Sequence, residues 1–150
     1  MSIRTEKFLA LASIDYAGKS KEDLQAMARE VLEEGMHGLC FSAYEEGQKP
    51  GDVLTEKQLT RRMGKIKPYT QWVRSFSCIE GNELIPKIAK KYGLKTLVGA
   101  WLGDDKEKNE LEIEALIQLC HEGYVDIAAV GNEVMYRGDL TEDELLHHIH

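Results

Sequence analysis

Residues 126–133 combine a buried strand pattern with two side chains that could do chemistry. Residues 127–130 (Ile-Ala-Ala-Val) are uncharged and either β-branched or small, which is typical of a strand covered on both faces. Gly131, Asn132 and Glu133 follow at the carboxyl end of that strand. Active sites of barrels built from alternating strands and helices lie at this end. We therefore predict that Glu133 is a general acid/base and that Asn132 orients a substrate hydroxyl.

The tripeptide Gly-Asn-Glu occurs twice in the chain, and the surrounding sequence distinguishes the two copies. The first copy, residues 81–83, precedes a helical stripe, so Asn82 is predicted to be an N-cap and Glu83 a first-turn acid. The second copy directly follows the strand pattern of residues 127–130. Only the second copy is therefore predicted to belong to a functional site.

Alternating strand and helix patterns make up the rest of the chain. Strand patterns occupy residues 37–44, 72–77, 96–102 and 127–130. Helical stripes occupy residues 20–35, 55–66, 84–93, 104–123 and 141–150, and capping boxes pair Ser20 with Asp23, Thr55 with Gln58 and Thr141 with Glu144. One helix followed by four strand–helix units predicts an α/β fold with a parallel sheet and helices outside it.

Two closures of such a sheet are possible. An open doubly wound sheet often carries a glycine-rich phosphate turn after its first strand, but Gly38 lies inside that strand pattern and no GxGxxG follows. A (βα)8 barrel needs about 250 residues, so four strands supply half of one. We therefore predict an N-terminal helical entry segment in residues 1–35 and a half (βα)8 TIM-type barrel in residues 36–150, either a fragment or a half that needs a partner.

Composition excludes several classes of partner. The chain has 150 residues and a net charge of −7, which argues against binding to nucleic acid or to an anionic membrane. No run is long enough to span a bilayer. Residues 8–14 are apolar, but Glu6 and Asp15 flank them, so we predict no signal peptide and favour a cytoplasmic location.

Neither metal nor disulfide chemistry is predicted. The three cysteines are widely spaced, and Cys40 and Cys120 fall in apolar patterns, so both are expected to be small buried side chains. His147 and His150 lie one turn apart at the end of the last helix, where a frayed helix end is the favoured interpretation. No cofactor and no metal ion is therefore predicted.

Aromatic, guanidinium, amide and carboxylate side chains are predicted to meet at the carboxyl ends of the four strands. They are Phe41 and Tyr44 on the first strand, Arg74 on the second, Trp101 on the third, and Asn132 with Glu133 on the fourth. Aromatic rings stack on sugar rings and fixed polar groups bind hydroxyls, so this set favours a sugar site. Tyr44 could also anchor a loop, and Trp101 could also pack in the core. A buried Arg74 needs a partner, for which Glu133 is predicted.

Three segments carry motifs at the predicted strand ends: Gly-Leu-Cys-Phe-Ser-Ala-Tyr (residues 38–44), Trp-Val-Arg-Ser-Phe-Ser (residues 72–77) and Val-Gly-Asn-Glu-Val (residues 130–134) with Arg137. Together they resemble glycoside hydrolase family 17, which holds β-1,3-glucanases and β-1,3-glucan transglycosylases. The resemblance covers most of the chain and is closer to the microbial branch, whose first strand reads Gly-x-x-Tyr-Ser-Pro-Tyr. Phe41 and Ala43 stand where that motif has Tyr and Pro, so one substrate contact through a hydroxyl is lost.

The resemblance implies a (βα)8 barrel with a retaining mechanism. Glu133 would be the acid/base, Asn132 would contact the sugar beside the scissile bond, and Tyr44 and Arg74 would line that subsite. Retention also needs a nucleophilic carboxylate about 5–5.5 Å away, which the family places on the seventh strand, beyond this chain. The resemblance therefore implies the N-terminal half of a β-1,3-glucan hydrolase or transglycosylase that is inactive alone and needs its C-terminal half.

The sequence is also compatible with two other functions. A half barrel exposes a sheet edge and an apolar inner face, so the chain could be a non-catalytic or self-associating half-barrel carbohydrate-binding module, and two copies could close a barrel by two-fold symmetry. A metal-dependent sugar isomerase or lyase would need histidine and acidic ligands at several strand ends. Only Glu133 fits that requirement, so this hypothesis ranks last.

Overall fold

The computed structural model describes residue 16 and residues 18–150, and these residues divide into two compact units at the boundary between Glu34 and Gly35. The apolar patch of residues 8–14 lies outside the described residues. In the first unit, helix α1 spans Lys21–Glu34. Ser20 N donates to Asp23 Oδ2 (3.2 Å) and Asp23 N donates to Ser20 Oγ (3.1 Å), so the predicted capping box and its helix are confirmed.

The second unit is built on one parallel sheet of four strands. They are β1 (Met36–Cys40), β2 (Thr70–Ser75), β3 (Lys95–Ala100) and β4 (Ile127–Val130). The strand order is β1-β2-β3-β4, and every neighbouring pair is parallel. Consecutive strands lie side by side in a (βα)8 barrel, whereas a doubly wound sheet reverses its order at a switch point. The predicted α/β half-barrel arrangement is confirmed.

Helices connect and follow the strands. They are α2 (Glu56–Ile66), a 3₁₀ turn (Lys67–Tyr69), α3 (Leu84–Lys91), α4 (Lys106–His121), α5 (Val134–Arg137) and α6 (Glu142–Ile149). Thr141 and Glu144 form the predicted reciprocal capping box of α6. Thr55 caps α2 as predicted, but Gln58 does not reach back to it. The Gln58 side chain instead donates to the Ala43 carbonyl oxygen (2.7 Å), which anchors the loop after β1.

Three strands end earlier than their apolar patterns predicted. β1 ends at Cys40, β2 at Ser75 and β3 at Ala100, rather than at residues 44, 77 and 102. Phe41 N still donates to the Arg74 carbonyl oxygen (2.8 Å). β2 ends one residue after Arg74, so the backbone hydrogen bonds between β1 and β2 do not extend further. The residues beyond these points therefore form loops at the carboxyl rim of the sheet, although several of them are apolar.

The first copy of Gly-Asn-Glu forms a turn rather than the predicted cap. Asn82 is buried, and its Nδ2 donates to the Ile79 carbonyl oxygen (2.9 Å). Glu83 occupies the N-cap position of α3 without a side-chain cap bond. The prediction that Asn82 is an N-cap is wrong, because its amide closes the preceding turn instead of facing the free N–H groups of the helix.

Two apolar clusters lie between the sheet and its helices. The first includes Leu59, Met63, Val73, Ile85 and Ile88, and the second includes Val98, Ala100, Leu116, Leu119 and Val134. On the opposite face, a shallow cavity of about 190 Å³ is bordered by residues such as Trp72 and Leu97. Ile127 is 48% exposed and Cys40 is exposed there. The predictions that β4 is covered on both faces and that Cys40 is buried are wrong, since within the second unit helices cover only one face.

Candidate functional site

The loops after β1, β2 and β3 place three aromatic side chains around one cavity at the carboxyl rim of the sheet. Tyr44, Phe76 and Trp101 line a volume of about 270 Å³, which we call the aromatic cavity. Its other lining residues are Pro50, Ser77, Glu80, Lys108 and Glu112. The structure thus brings the predicted site residues Tyr44 and Trp101 together. Phe76 was missed, although it continues the alternation that begins with Trp72 and Arg74 on the second strand.

Gly131, Asn132 and Glu133 form a tight turn directly after β4, which we call the β4 turn. Gly131 N donates to the Ala100 carbonyl oxygen (3.1 Å), so the turn begins on the neighbouring strand. Gly131 has φ 77°, and a Cβ there would lie 2.5 Å from Val134 Cγ2. Glu133 has φ 53°, a left-handed conformation that costs a non-glycine residue about 1–3 kcal/mol. Such strain at an exposed carboxylate marks a candidate functional position.

Arg74 reaches across the sheet to the β4 turn. Its Nη2 donates to Asn132 Oδ1 (2.9 Å), and its guanidinium carbon lies 4.6 Å from the centroid of the Phe76 ring. Among the ion pairs of the described residues, Arg74 has none with Glu133. The predicted Arg74–Glu133 pair is therefore wrong, because Asn132 lies one residue closer to the strand and accepts the bond. The bond from Arg74 orients the Asn132 amide so that its NH₂ group can donate to a ligand.

Glu112 is the least expected polar residue of the site. It lies on α4, is fully buried, and accepts from Ser77 Oγ (2.5 Å), from Cys78 N (2.7 Å) and from the backbone N–H of Trp101. One carboxylate therefore ties the loop after β2 to the loop after β3. Burial raises the pKa of Glu112 above its ordinary value, while the three donors oppose that shift.

The buried face of α4 differs from the predicted stripe. The sequence pattern placed Ile113, Leu116, Ile117 and Cys120 inward, whereas the structure buries Asn109, Glu112, Leu116 and Leu119 and exposes Ile117 and Cys120. Asn109 accepts from Gly103 N and donates to the Gly103 carbonyl oxygen, both at 2.8 Å. Asn109 and Glu112 continue the Leu116–Leu119 spacing, and that was the signal available in the sequence.

Phe41 does not face the rim. Its side chain is 6% exposed and packs in the first apolar cluster with Leu59 and Met63. A side chain in this position offers a ligand little surface, so Phe41 is assigned to the core. The phenylalanine that stands where the resembled motif has tyrosine is therefore a core residue in this chain.

Metal-ligand types do not cluster in the part of the chain that the structure describes. No group of three or more histidine, cysteine, aspartate or glutamate side chains there is arranged to hold a metal ion. His147 and His148 lie on α6. Asp105 caps α4 by accepting from Lys108 N (3.1 Å), as an acid at a helix start is expected to do. No helix among residue 16 and residues 18–150 is long and apolar enough to cross a bilayer.

Comparison with known proteins places these features in a family. Residues 38–150, which include all four rim loops, match the BtgE/BtgC glycoside hydrolase domain. A glucan 1,3-beta-glucosidase of Schizosaccharomyces pombe is 34% identical over 92 residues, which are 57% of this chain and 28% of that relative's length. No solved structure matches the chain. On the extent of the domain match, the chain belongs to the BtgE/BtgC glycoside hydrolase domain family.

Proposed function

We propose that this chain is the acid/base-bearing half of a family 17-type retaining enzyme, a hydrolase or transglycosylase of β-1,3-glucan. The observation that carries the proposal is the position of Glu133. It directly follows β4 in a strained left-handed turn, and its neighbour Asn132 is held by Arg74 (2.9 Å). The matched relative, which is named a glucan 1,3-beta-glucosidase, supports β-1,3-glucan as the substrate class.

Each side chain has a separate task in this proposal. Glu133 protonates the glycosidic oxygen and then deprotonates the incoming water or sugar. Asn132 offers its NH₂ group to a sugar hydroxyl, because its Oδ1 is occupied by Arg74. Tyr44 and Trp101 stack on sugar rings in the aromatic cavity, whose volume of about 270 Å³ is ample for one pyranose ring.

A retaining reaction also needs a nucleophile, which we assign to a second half barrel. The two acids that border the aromatic cavity are already engaged. Glu80 pairs with Lys108 (3.1 Å), and Glu112 is buried with three donors on its carboxylate. Neither is free to attack an anomeric carbon. We therefore expect this half to bind β-1,3-glucan and to release no product alone.

The proposal is tested with the 150-residue chain and a β-1,3-linked glucose hexamer. We expect binding without product release. Glu133→Gln should bind equally well because it keeps the shape of the side chain, whereas Trp101→Ala should weaken binding by about tenfold through loss of a stacking surface. Tyr69→Ala is the matched control, since Tyr69 is 41% exposed and precedes β2 at the opposite end of the strand.

Two results would contradict different parts of this proposal. Product release by the native chain, abolished in Glu133→Gln, would show that a nucleophile comes from this half or from a second copy of it. Equal binding of a β-1,4-linked hexamer would remove the assignment to β-1,3-glucan. In a protein that also supplies the second half barrel, Glu133→Gln should lower hydrolysis by about 10²–10⁴-fold, the range for loss of a general acid/base.

The uncovered sheet face favours a second candidate function, in which two copies associate. Ile127 is 48% exposed on β4, and the inner face carries a cavity of about 190 Å³ that is bordered by Trp72 and Leu97. A dimer that buries this face would be lost in Ile127→Lys, because a charge would enter the contact. Sedimentation of the native chain as a monomer at all concentrations would exclude this candidate.

A further inference from the structure

Arg137 has no part in the proposed chemistry, yet its guanidinium group is bonded through every nitrogen. Nε donates to Asp139 Oδ2 (2.6 Å), Nη2 to the Leu102 carbonyl oxygen (2.7 Å) and Nη1 to the Asn132 carbonyl oxygen. The guanidinium carbon also lies 4.5 Å from the centroid of the Trp101 ring. One side chain thus contacts both the loop after β3 and the β4 turn.

The backbone of α5 fixes where Arg137 lies. Arg137 N donates to the Glu133 carbonyl oxygen (2.9 Å), so the helical turn that carries the arginine begins on the β4 turn itself. Gly138 then adopts φ 75°, and Asp139 N donates to the Val134 carbonyl oxygen (3.1 Å). This reversal returns Asp139 to the guanidinium. The side chains of Arg137 and Asp139 are 26% and 24% exposed.

We propose that Arg137 is a positioning residue that holds the Trp101 ring and the β4 turn in one fixed arrangement, with Asp139 as its anchor. The inference rests on the proposed function, in which Trp101 stacks on the sugar that Glu133 acts upon. The guanidinium occupies one face of the indole ring, so the other face and the edge are what Trp101 presents to the aromatic cavity.

Lysine could not replace arginine in this role. A guanidinium group donates in three directions within one plane while it stacks on an aromatic face, whereas an ammonium group is a compact and strongly hydrated charge. In Arg137→Lys, the bonds to the Leu102 and Asn132 carbonyl oxygens cannot both persist together with the stacking on Trp101. We therefore expect the indole ring and the β4 turn to move independently of one another in this variant.

The test uses the full 150-residue chain with Trp72→Phe, which leaves Trp101 as the sole remaining tryptophan of the two. Acrylamide quenching of Trp101 fluorescence is measured without ligand in this parent, in Arg137→Lys and in Asp139→Asn. Uncovering the second ring face should raise the quenching constant roughly twofold in Arg137→Lys and less in Asp139→Asn. Arg61→Lys is the matched control, because Arg61 also forms an ion pair, with Glu45, but the cation that stacks on the Trp101 ring is Arg137.

Binding of the β-1,3-linked glucose hexamer is then titrated in the same variants. Arg137→Lys should weaken binding by about two- to fivefold, as expected when a cation–π contact no longer fixes the ring. Arg61→Lys should change neither quenching nor affinity. A role confined to general stability would lower the free energy of unfolding in urea while leaving the quenching of the folded protein unchanged.

The two proposals fail in different ways. Quenching in Arg137→Lys equal to that of the parent would overturn the positioning role, whether or not the hexamer binds. If quenching increases in Arg137→Lys but neither the parent nor any variant binds the hexamer, the positioning role stands and the proposed function is removed. If Arg137→Lys does not fold, Asp139→Asn decides, and its quenching must exceed that of the parent for the inference to survive.

Discussion

Replacement of Glu112 tests whether one buried carboxylate holds the rim loops together. Its oxygens accept from the Ser77 hydroxyl, the Cys78 N–H and the Trp101 N–H, and the residue has no exposed surface. In Glu112→Ala these three donors lose their acceptor inside the protein. Each unsatisfied buried donor costs about 1–3 kcal/mol. Because the loops can relax towards water, we expect the free energy of unfolding to fall by about 3–5 kcal/mol, near the lower end of the summed cost of the three donors.

Glu112→Gln is the more informative change, because it keeps the volume and removes only the charge. The amide oxygen can accept two of the three donors, but the NH₂ group must face the third. One lost bond costs about 1–3 kcal/mol of a total stability of about 5–15 kcal/mol. The two variants should therefore differ in urea midpoint while showing similar m-values.

The pH dependence separates burial from hydrogen bonding at Glu112. Burial raises its pKa in the folded state, so the protonated acid is favoured by folding. In the native chain, the contribution of this group to the free energy of unfolding should be fully present below its ordinary pKa of 4.5. It should be lost progressively as the pH rises through the raised pKa of the folded state. Glu112→Gln cannot titrate, so its deficit relative to the native chain should shrink as the pH rises above 4.5.

Urea unfolding at closely spaced pH values, with the native chain and Glu112→Gln side by side, measures this deficit. The subtraction removes the titration of every group that the two proteins share. A deficit that grows with pH would refute the reasoning, since it would mean that the three donors outweigh burial and hold the pKa below 4.5. A deficit below 1 kcal/mol at every pH would refute the view that Glu112 ties the loops together.

Three further expectations concern the β4 turn and the thiols. Gly131→Ala should lower the free energy of unfolding in urea by about 2–4 kcal/mol, because φ is 77° and the new Cβ would lie 2.5 Å from Val134 Cγ2. Gly103→Ala is the control and should be close to neutral, because nothing lies within 4 Å of its Cβ position. Glu133→Gly should raise the unfolding free energy by about 1 kcal/mol by relieving the left-handed strain, while it abolishes catalysis in a protein with both half barrels; an unchanged or lower stability would contradict the strain. Cys78 should react with a thiol reagent far more slowly than the two exposed cysteines at pH 8, since burial raises its pKa, and equal rates of all three would contradict its burial.

The sheet could be predicted from the sequence because its signals are local. Residues 127–130 form β4 over the predicted range, and Thr141 with Glu144 caps α6 as predicted. The strand ends could not be predicted. An apolar residue after Ser75 gives the same sequence pattern whether or not the neighbouring strand continues to pair with it. Cys40 shows the same limit, since its burial depends on a covering layer that nothing in its own neighbourhood specifies.

The site could be predicted only where one residue type carries the chemistry. Glu133 and Asn132 were predicted from their place after an apolar strand pattern, and their assigned roles remain proposals. The inward position of Glu112 follows from the spacing of Leu116 and Leu119, but its hydrogen-bond partners could not be predicted, because Ser77 and Cys78 lie on a loop 35 and 34 residues before it. A glutamate on a helix is typical of a solvent-facing position. Its burial here is explained only by the loop N–H groups that it accepts from, and the sequence does not show where those groups lie.

Three long-range ties converge on the carboxyl rim of this half barrel. Arg74 joins β2 to the β4 turn, Glu112 joins the loops after β2 and β3, and Arg137 joins the loop after β3 to the β4 turn. Each tie comes from within residues 74–139, so the rim is organised without any group from a second half barrel. Because the rim is ordered on folding, little ordering entropy is left to be lost when a ligand binds, which under the proposed function favours sugar binding by this chain alone. Under the same proposal, the uncovered inner face is the surface that a second half barrel would cover.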